Sequence, residues 1–250
     1  MFIMDTAYKK IKSMVTENKT PDLEHQAAII LGGQPGAGKT SIFRDNPEFS
    51  NYVLINADDF RIFHPDYDAI SKKDYEHYAE RTQGFINTIT ERLIEELSNE
   101  GYNLLIEGTL RTVAVPLRTC KALKNKGYNI DLYVVAEDAT ISWENTIKRA
   151  EAEFSQNKTP RLVPVDKYKQ IISVLSDNLE QLCSNSEFRT IQIATKEGRT
   201  FVDKTNARKT LDTILKKEQW ESEFEKHADE YLNKQKEFLS HAVEITEFER

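Results

Sequence analysis

Cysteine is nearly absent from this chain: its 250 residues carry two, Cys120 and Cys183. They fall in separate predicted helices, and neither they nor the five histidines show a metal-ligand spacing, which sets aside a disulfide framework and a zinc site. Long apolar runs are missing as well. None approaches the roughly 18 residues of a membrane span, and the start, Met1-Phe2-Ile3-Met4-Asp5-Thr6-Ala7-Tyr8-Lys9-Lys10, lacks the basic-then-apolar order of a signal peptide. A cytoplasmic protein without membrane contact is expected. Positive charge is in deficit, with 34 Lys and Arg against 41 Asp and Glu and a net charge of −7. Nucleic-acid binding depends on neutralising phosphates with basic side chains, so no nucleic-acid partner is expected. A small phosphorylated ligand in a local basic pocket stays compatible. Internal repeats and low-complexity segments are absent too.

What is present is the composition of a globular protein, 39% hydrophobic and 30% charged, long enough for one α/β domain with additions. Apolar runs at 27–31, 52–55, 103–106, 132–135 and 190–193 are predicted strands. Between them Phe85, Ile86, Ile89, Leu93, Ile94 and Leu97 recur at helical steps, as do Ile171, Val174, Leu175, Leu179 and Leu182. This alternation predicts an α/β, three-layer fold: a mostly parallel sheet covered on both faces, with its ligand at the carboxyl ends of the strands. Residues 1–26 are predicted as a helix and linker broken at Pro21, 27–204 as the main domain, and 205–250 as a charged helical appendage. The appendage's Trp220, Phe224, Tyr231, Leu232 and Phe238 read as packing contacts.

The first predicted strand runs into Gly33-Gln34-Pro35-Gly36-Ala37-Gly38-Lys39-Thr40, which fits G-x-x-x-x-G-K-[ST]. Glycines let such a loop curl its N–H groups around one phosphate, Lys39 can reach the β- and γ-phosphates, and the Thr40 hydroxyl can ligate Mg²⁺. Ser41-Ile42-Phe43-Arg44 can continue as a helix whose positive end faces the anion. ATP with Mg²⁺ is therefore the expected cofactor pair.

Polar residues just after the other strands are the remaining candidates. Asp58 or Asp59 could meet the proton of an acceptor hydroxyl, with an Asx turn or helix cap as the plain alternative, stronger for Asp59. Glu107, at the tip of a buried strand like a Walker B acid, could hold Mg²⁺ through water or grip substrate. Arg111 and Thr119 follow it. Arg149 and Arg161 are candidates for flap arginines that stabilise charge on a transferring phosphoryl group, although exposed arginine is common.

Taken together, the run Gly32 to Thr40, Asp58-Asp59-Phe60, His64-Pro65, the stretch Gly101-Tyr102-Asn103-Leu104-Leu105-Ile106-Glu107-Gly108-Thr109-Leu110-Arg111-Thr112, Leu123 to Tyr128, and the Arg149 and Arg161 regions resemble the zeta toxin family. These are P-loop kinases of toxin–antitoxin systems that phosphorylate UDP-N-acetylglucosamine. The resemblance implies that Asp58 is the base for the 3′-hydroxyl of the amino sugar and that Lys39 and Thr40 serve ATP and Mg²⁺, with Gly33 to Ser41 around the nucleotide. It also implies that Arg149 and Arg161 contact the transferred phosphate and that Glu91, Glu107, Thr109, Arg111 and Thr119 bind substrate. Three departures stand out: Ala114 where Asp is usual, Ala150 in place of an aromatic, and Arg161-Leu162-Val163-Pro164 in place of Arg-Ala-Thr-Pro. They leave phosphoryl transfer intact and bear on substrate identity. A separate antitoxin chain is the implied partner. By themselves the residues leave open a kinase of another nucleotide sugar or small alcohol, and an ATP-hydrolysing switch acting through a protein partner.

Overall fold

A computed structural model describes residues 2–43, 46–73, 77–156, 158, 160–185 and 187–224, with residues 229, 232, 233 and 236. Arg44, Tyr231 and Phe238 lie outside them, as does most of the appendage beyond residue 224. The six strands among these residues are β1 (Ala27–Gly32), β2 (Val53–Asn56), β3 (Leu104–Glu107), β4 (Asn129–Val135), β5 (Thr190–Thr195) and β6 (Gly198–Phe201). They form one sheet in the order β2-β3-β1-β4-β5-β6, parallel throughout except for the antiparallel edge strand β6. The mostly parallel α/β architecture expected from the alternating pattern is what the chain adopts. β6 went unforeseen because Gly198-Arg199-Thr200-Phe201 has no apolar alternation, all four residues being exposed.

The helices in chain order are α1 (Phe2–Val15), α2 (Lys39–Phe43), α3 (Tyr67–Lys73), α4 (Tyr78–Arg81), α5 (Gln83–Asn99), α6 (Ala114–Lys124), α7 (Ala139–Ser155), α8 (Val165–Cys183) and α9 (Ala207–Leu215). Alternate residues of a strand face opposite ways, and the two faces are covered unequally. Ala28 and Ile30, with Val53, Ile55, Leu104, Leu132 and Val134, join the larger core with α1, α5, α6, α7, α8 and α9. On the other face, Ile29, Leu31, Leu105, Tyr133 and Val135 pack against Phe43 of α2 and Phe49. Apolar residues at three- and four-residue steps explain α8, which buries Ile171, Ile172, Leu175, Leu179 and Leu182. Residues 217–224 are helical. Trp220 and Phe224 there are buried, with Trp220 5.3 Å from the ring of Tyr168.

What positions a site is the register of three strand ends. Leu31 of β1 and Asn56 of β2 both pair with Glu107 of β3. The loop after β1, the turn after β2 and the last carboxylate of β3 therefore emerge side by side, at the edge where parallel α/β sheets bind ligands.

Candidate active site

The loop after β1 can exist only with glycine at its crowded points. A Cβ on Gly33 (φ +133°) would lie 2.0 Å from the Val135 carbonyl oxygen, and one on Gly36 (φ +77°) 1.9 Å from that of Ser142. Helix α7 clamps the loop from outside. It starts at Asp138, whose carboxylate accepts from the N–H groups of Thr140 and Ile141, and its Asn145 amide donates to the Gly36 carbonyl at 3.1 Å. Gln34 is fully buried and donates to the Glu137 carbonyl (2.6 Å) and the Ser142 hydroxyl (3.3 Å). Its side chain thus braces α7, leaving its backbone to face the loop interior. Ser41 Oγ is likewise turned back, donating to the Gly38 carbonyl, and Thr40, the second residue of α2, is half-buried.

Lys39 lies against this loop, its ammonium donating to the carbonyls of Gly33 (3.1 Å) and Gln34 (3.0 Å). Glu107 Oε1 is 3.9 Å away, too far for a hydrogen bond. Glu107 Oε2 is buried with no hydrogen-bond partner among the described residues. Burial pushes the Lys39 pKa down, opposed by the charge of Glu107. It pushes the Glu107 pKa up, opposed by Lys39. Each charge is poorly solvated and only loosely met by the other, the condition in which a bound ion gains most.

The turn after β2 is a 3-10 helix, Ala57–Phe63, capped by Asn56, whose side chain accepts from the Asp58 N–H. The adjacent aspartates take different partners. Asp58 Oδ1 accepts from Arg61 Nε at 2.9 Å, while Asp59 Oδ1 lies 3.2 Å from Arg161 Nη1. The Asp59 carboxylate reaches across the fold to an arginine 102 positions away, a contact that the turn-or-cap reading did not include. Asp58 acts electrostatically on Lys39, Glu107 and Arg149, so the three strand ends form one charged site.

Both downstream arginines are present in it. Arg149, on α7, donates through Nη2 to the Arg161 carbonyl (3.1 Å), and its Nε is buried with no hydrogen-bond partner among the described residues. Burial, then the charge of Arg161, lowers its pKa. Arg161 is held by Glu153, which accepts from its backbone N–H (2.7 Å) and from Nε (2.6 Å). Burial lowers the Arg161 pKa, and the hydrogen bond and charge of Glu153 more than reverse the effect.

The remaining sequence candidates stand apart from this cluster. Thr109 is half-buried and Arg111 exposed, on either side of Leu110. Leu110 takes a left-handed φ of +53°, its side chain filling the space beside Gly32 while its carbonyl accepts from Asn178. On α6 the Thr119 hydroxyl donates to the Val115 carbonyl. Glu91, on α5, is exposed and paired with Arg118 at 3.3 Å. No hydrogen bond or ion pair joins Glu91, Arg111 or Thr119 to Lys39, Asp58, Arg149 or Arg161 among the described residues.

The sequence profile of the zeta toxin family matches residues 11–207. The chain belongs to the zeta toxin family. Toxin PezT of Streptococcus pneumoniae is 39% identical over 191 residues, 75% of this chain and 76% of PezT. Toxin zeta of Streptococcus pyogenes is 36% identical over 181 residues, 70% of this chain; the match spans 62% of that toxin, less than two thirds of its length. A solved structure from the pneumococcal PezAT toxin–antitoxin system superposes with a TM-score of 0.75 at 34% identity, covering 92% of this chain and 95% of that one. Ala150 is fully buried on α7, and Ala114 lies at the exposed start of α6. Sequence reasoning missed three polar groups of the site: Arg61, Asn145 and Glu153. Spacing could have found two of them, since Arg61 lies three residues after Asp58 and Glu153 four after Arg149, both same-face separations on a helix.

Proposed function

We propose that this zeta toxin is a kinase that transfers the γ-phosphate of ATP to the 3′-hydroxyl of the amino sugar of UDP-N-acetylglucosamine, blocking supply of cell-wall precursor. The observation that carries the kinase reading is the cluster around the loop after β1. A buried ammonium (Lys39) and a half-buried guanidinium with a buried, unpaired Nε (Arg149) both feel the charge of the Asp58 carboxylate. One cation that meets its carboxylate only at 3.9 Å and another with an unpaired nitrogen suit a polyphosphate, and a separate carboxylate suits the group that attacks it.

The residues fit ATP with Mg²⁺: glycine at Gly33 and Gly36 lets the loop pack flush against the Val135 and Ser142 backbone in its positive-φ curl, and Glu107 Oε2 is an unclaimed buried acceptor. Mg²⁺, held by the Thr40 hydroxyl and by Glu107 directly or through water, would spread charge over the phosphate oxygens. Lys39 would leave the Gly33 and Gln34 carbonyls for the β- and γ-phosphates. Asp58 would orient the acceptor hydroxyl and take its proton, and Arg149 and Arg161 would meet charge shifting onto the phosphoryl oxygens.

Family membership supports the acceptor, with Glu91, Glu107, Thr109, Arg111 and Thr119 as its binding residues. The pneumococcal toxin–antitoxin system supports a separate antitoxin chain as partner; a cytoplasmic setting belongs to the same proposal. No helix among the described residues is long and apolar enough to cross a membrane. The test is incubation with ATP, Mg²⁺ and a panel of nucleotide sugars, with products identified by mass spectrometry. Phosphorylated UDP-N-acetylglucosamine is expected. A different phosphorylated sugar would overturn the acceptor, and ADP release without any phosphorylated sugar would favour a nucleotide-hydrolysing switch.

A further inference from the structure

Arg61 is 7% exposed, and its guanidinium is committed on every side. Nη1 donates to the Ala79 carbonyl (2.6 Å) and the Thr82 hydroxyl (2.7 Å), and Nη2 to Gln83 Oε1 (3.0 Å). Thr82 is itself fully buried and donates to the Tyr78 carbonyl. The arginine is thus fixed against the α4–α5 junction before it touches anything else. Its other edge meets Asp58: both Nε and Nη2 lie 2.9 Å from the same carboxylate oxygen, Oδ1. Oδ2 has no hydrogen bond to the described residues, and the Asp58 side chain is 59% exposed.

We propose that Arg61 is the positioning residue for Asp58, clamping Oδ1 so that Oδ2 is presented to the acceptor hydroxyl. The inference rests on the reading of Asp58 as the base. An aspartate that exposed would otherwise turn about two side-chain torsions, and misplacing a reacting group by about 1 Å can cost about a hundredfold in rate. A lysine could supply the charge but not the fork, because one ammonium cannot satisfy three acceptors at the junction and still face Oδ1. The purely structural alternative is that Arg61 only ties the Ala57–Phe63 turn to the α4–α5 junction.

A double-mutant cycle on the full chain separates the two. Arg61→Lys is expected to lower kcat about tenfold or more while ATP affinity and the acceptor KM stay within about twofold of wild type. In the Asp58→Asn background the same change should cost the residual rate nothing further. Full kcat in folded Arg61→Lys, or an equal additional loss in the Asp58→Asn background, would overturn the inference. Should Arg61→Lys fail to fold, Thr82→Val removes one brace at nearly constant shape and is expected to lower kcat a few-fold at unchanged ATP affinity; unchanged kcat there would overturn it as well. Wild-type protein that transfers phosphate while Arg61→Lys and Thr82→Val do so equally well defeats this inference alone. Wild-type protein that transfers none defeats the reading of Asp58, and this inference with it.

Discussion

Replacing Asp59 with Asn is expected to tighten ATP binding. Asp59 Oδ1 lies 3.2 Å from Arg161 Nη1, with both side chains about one-third exposed. Glu153 holds the same arginine independently through its backbone N–H and Nε, so the substitution frees one arm of the guanidinium without releasing the residue. An ion pair at that exposure is worth about 0–1 kcal/mol, and a phosphate that claims Arg161 must displace it. Removing the carboxylate should lower the ATP Kd by up to about fivefold, and relief of its repulsion on an incoming triphosphate acts in the same direction. Calorimetric titration of wild type and Asp59→Asn with a non-hydrolysable ATP analogue measures this. The gain should shrink as ionic strength rises, because the pair is partly screened already. Weaker binding by a folded Asp59→Asn protein would mean that Asp59 delivers Arg161 to the phosphate instead of competing for it, and would refute the reasoning.

Lys39→Ala is expected to weaken ATP binding and to depress transfer by orders of magnitude, since no other ammonium lies against the loop among the described residues; near-wild-type product formation would remove the loop from the mechanism. Arg149→Ala should act mainly on kcat and Arg111→Ala mainly on the acceptor KM, because the first carries a buried, unpaired Nε beside Arg161 and the second is exposed near Thr109; similar small effects in steady-state kinetics would return both to ordinary packing and surface roles. Glu96 has its pKa lowered to about 2, chiefly by the hydrogen bond from Tyr8, with Arg92 and Lys12 assisting. Its stabilising contribution is therefore present above the unfolded carboxylate range near ~4.3 and lost as pH falls towards 2. For a carboxylate about one-third exposed, that contribution is about 1 kcal/mol after solvent screening. Tyr8→Phe should move the acid-unfolding midpoint, followed by circular dichroism, to higher pH; an unmoved midpoint would dismiss the contact as stabilising.

Much of this site could be read in the amino-acid order because its parts are local. The loop from Gly33 to Thr40 is one continuous motif after an apolar strand, and Glu107 ends another such strand. The predicted strands at 27–31, 52–55, 103–106, 132–135 and 190–193 each overlap an observed one, within one residue at most ends. Strand β4 is longer because Asn129 and Asp131, polar by composition, still pair with Ala27 and Ile29 of β1. What the order of residues did not reveal are contacts made only after folding. Asp59 meets Arg161, and Gln34 turns from the loop towards α7. Arg149 reads as one more exposed arginine until α7 places it half-buried beside Arg161, its Nε out of solvent. Edge strand β6 carries no periodic signal because neither of its faces is buried.

The division of labour between the two aspartates leads to a single decisive measurement: ATP affinity and sugar phosphorylation, assayed side by side for wild type and Asp58→Asn. Asn nearly keeps the shape of Asp58 while removing the charge that would take the hydroxyl proton. ATP affinity should change little, and mass spectrometry should find phosphorylated UDP-N-acetylglucosamine with wild type and only a small residual amount with Asp58→Asn. Undiminished product from Asp58→Asn, or no phosphorylated sugar from the wild-type protein, would contradict the assignment of Asp58 as the base of a sugar-nucleotide kinase.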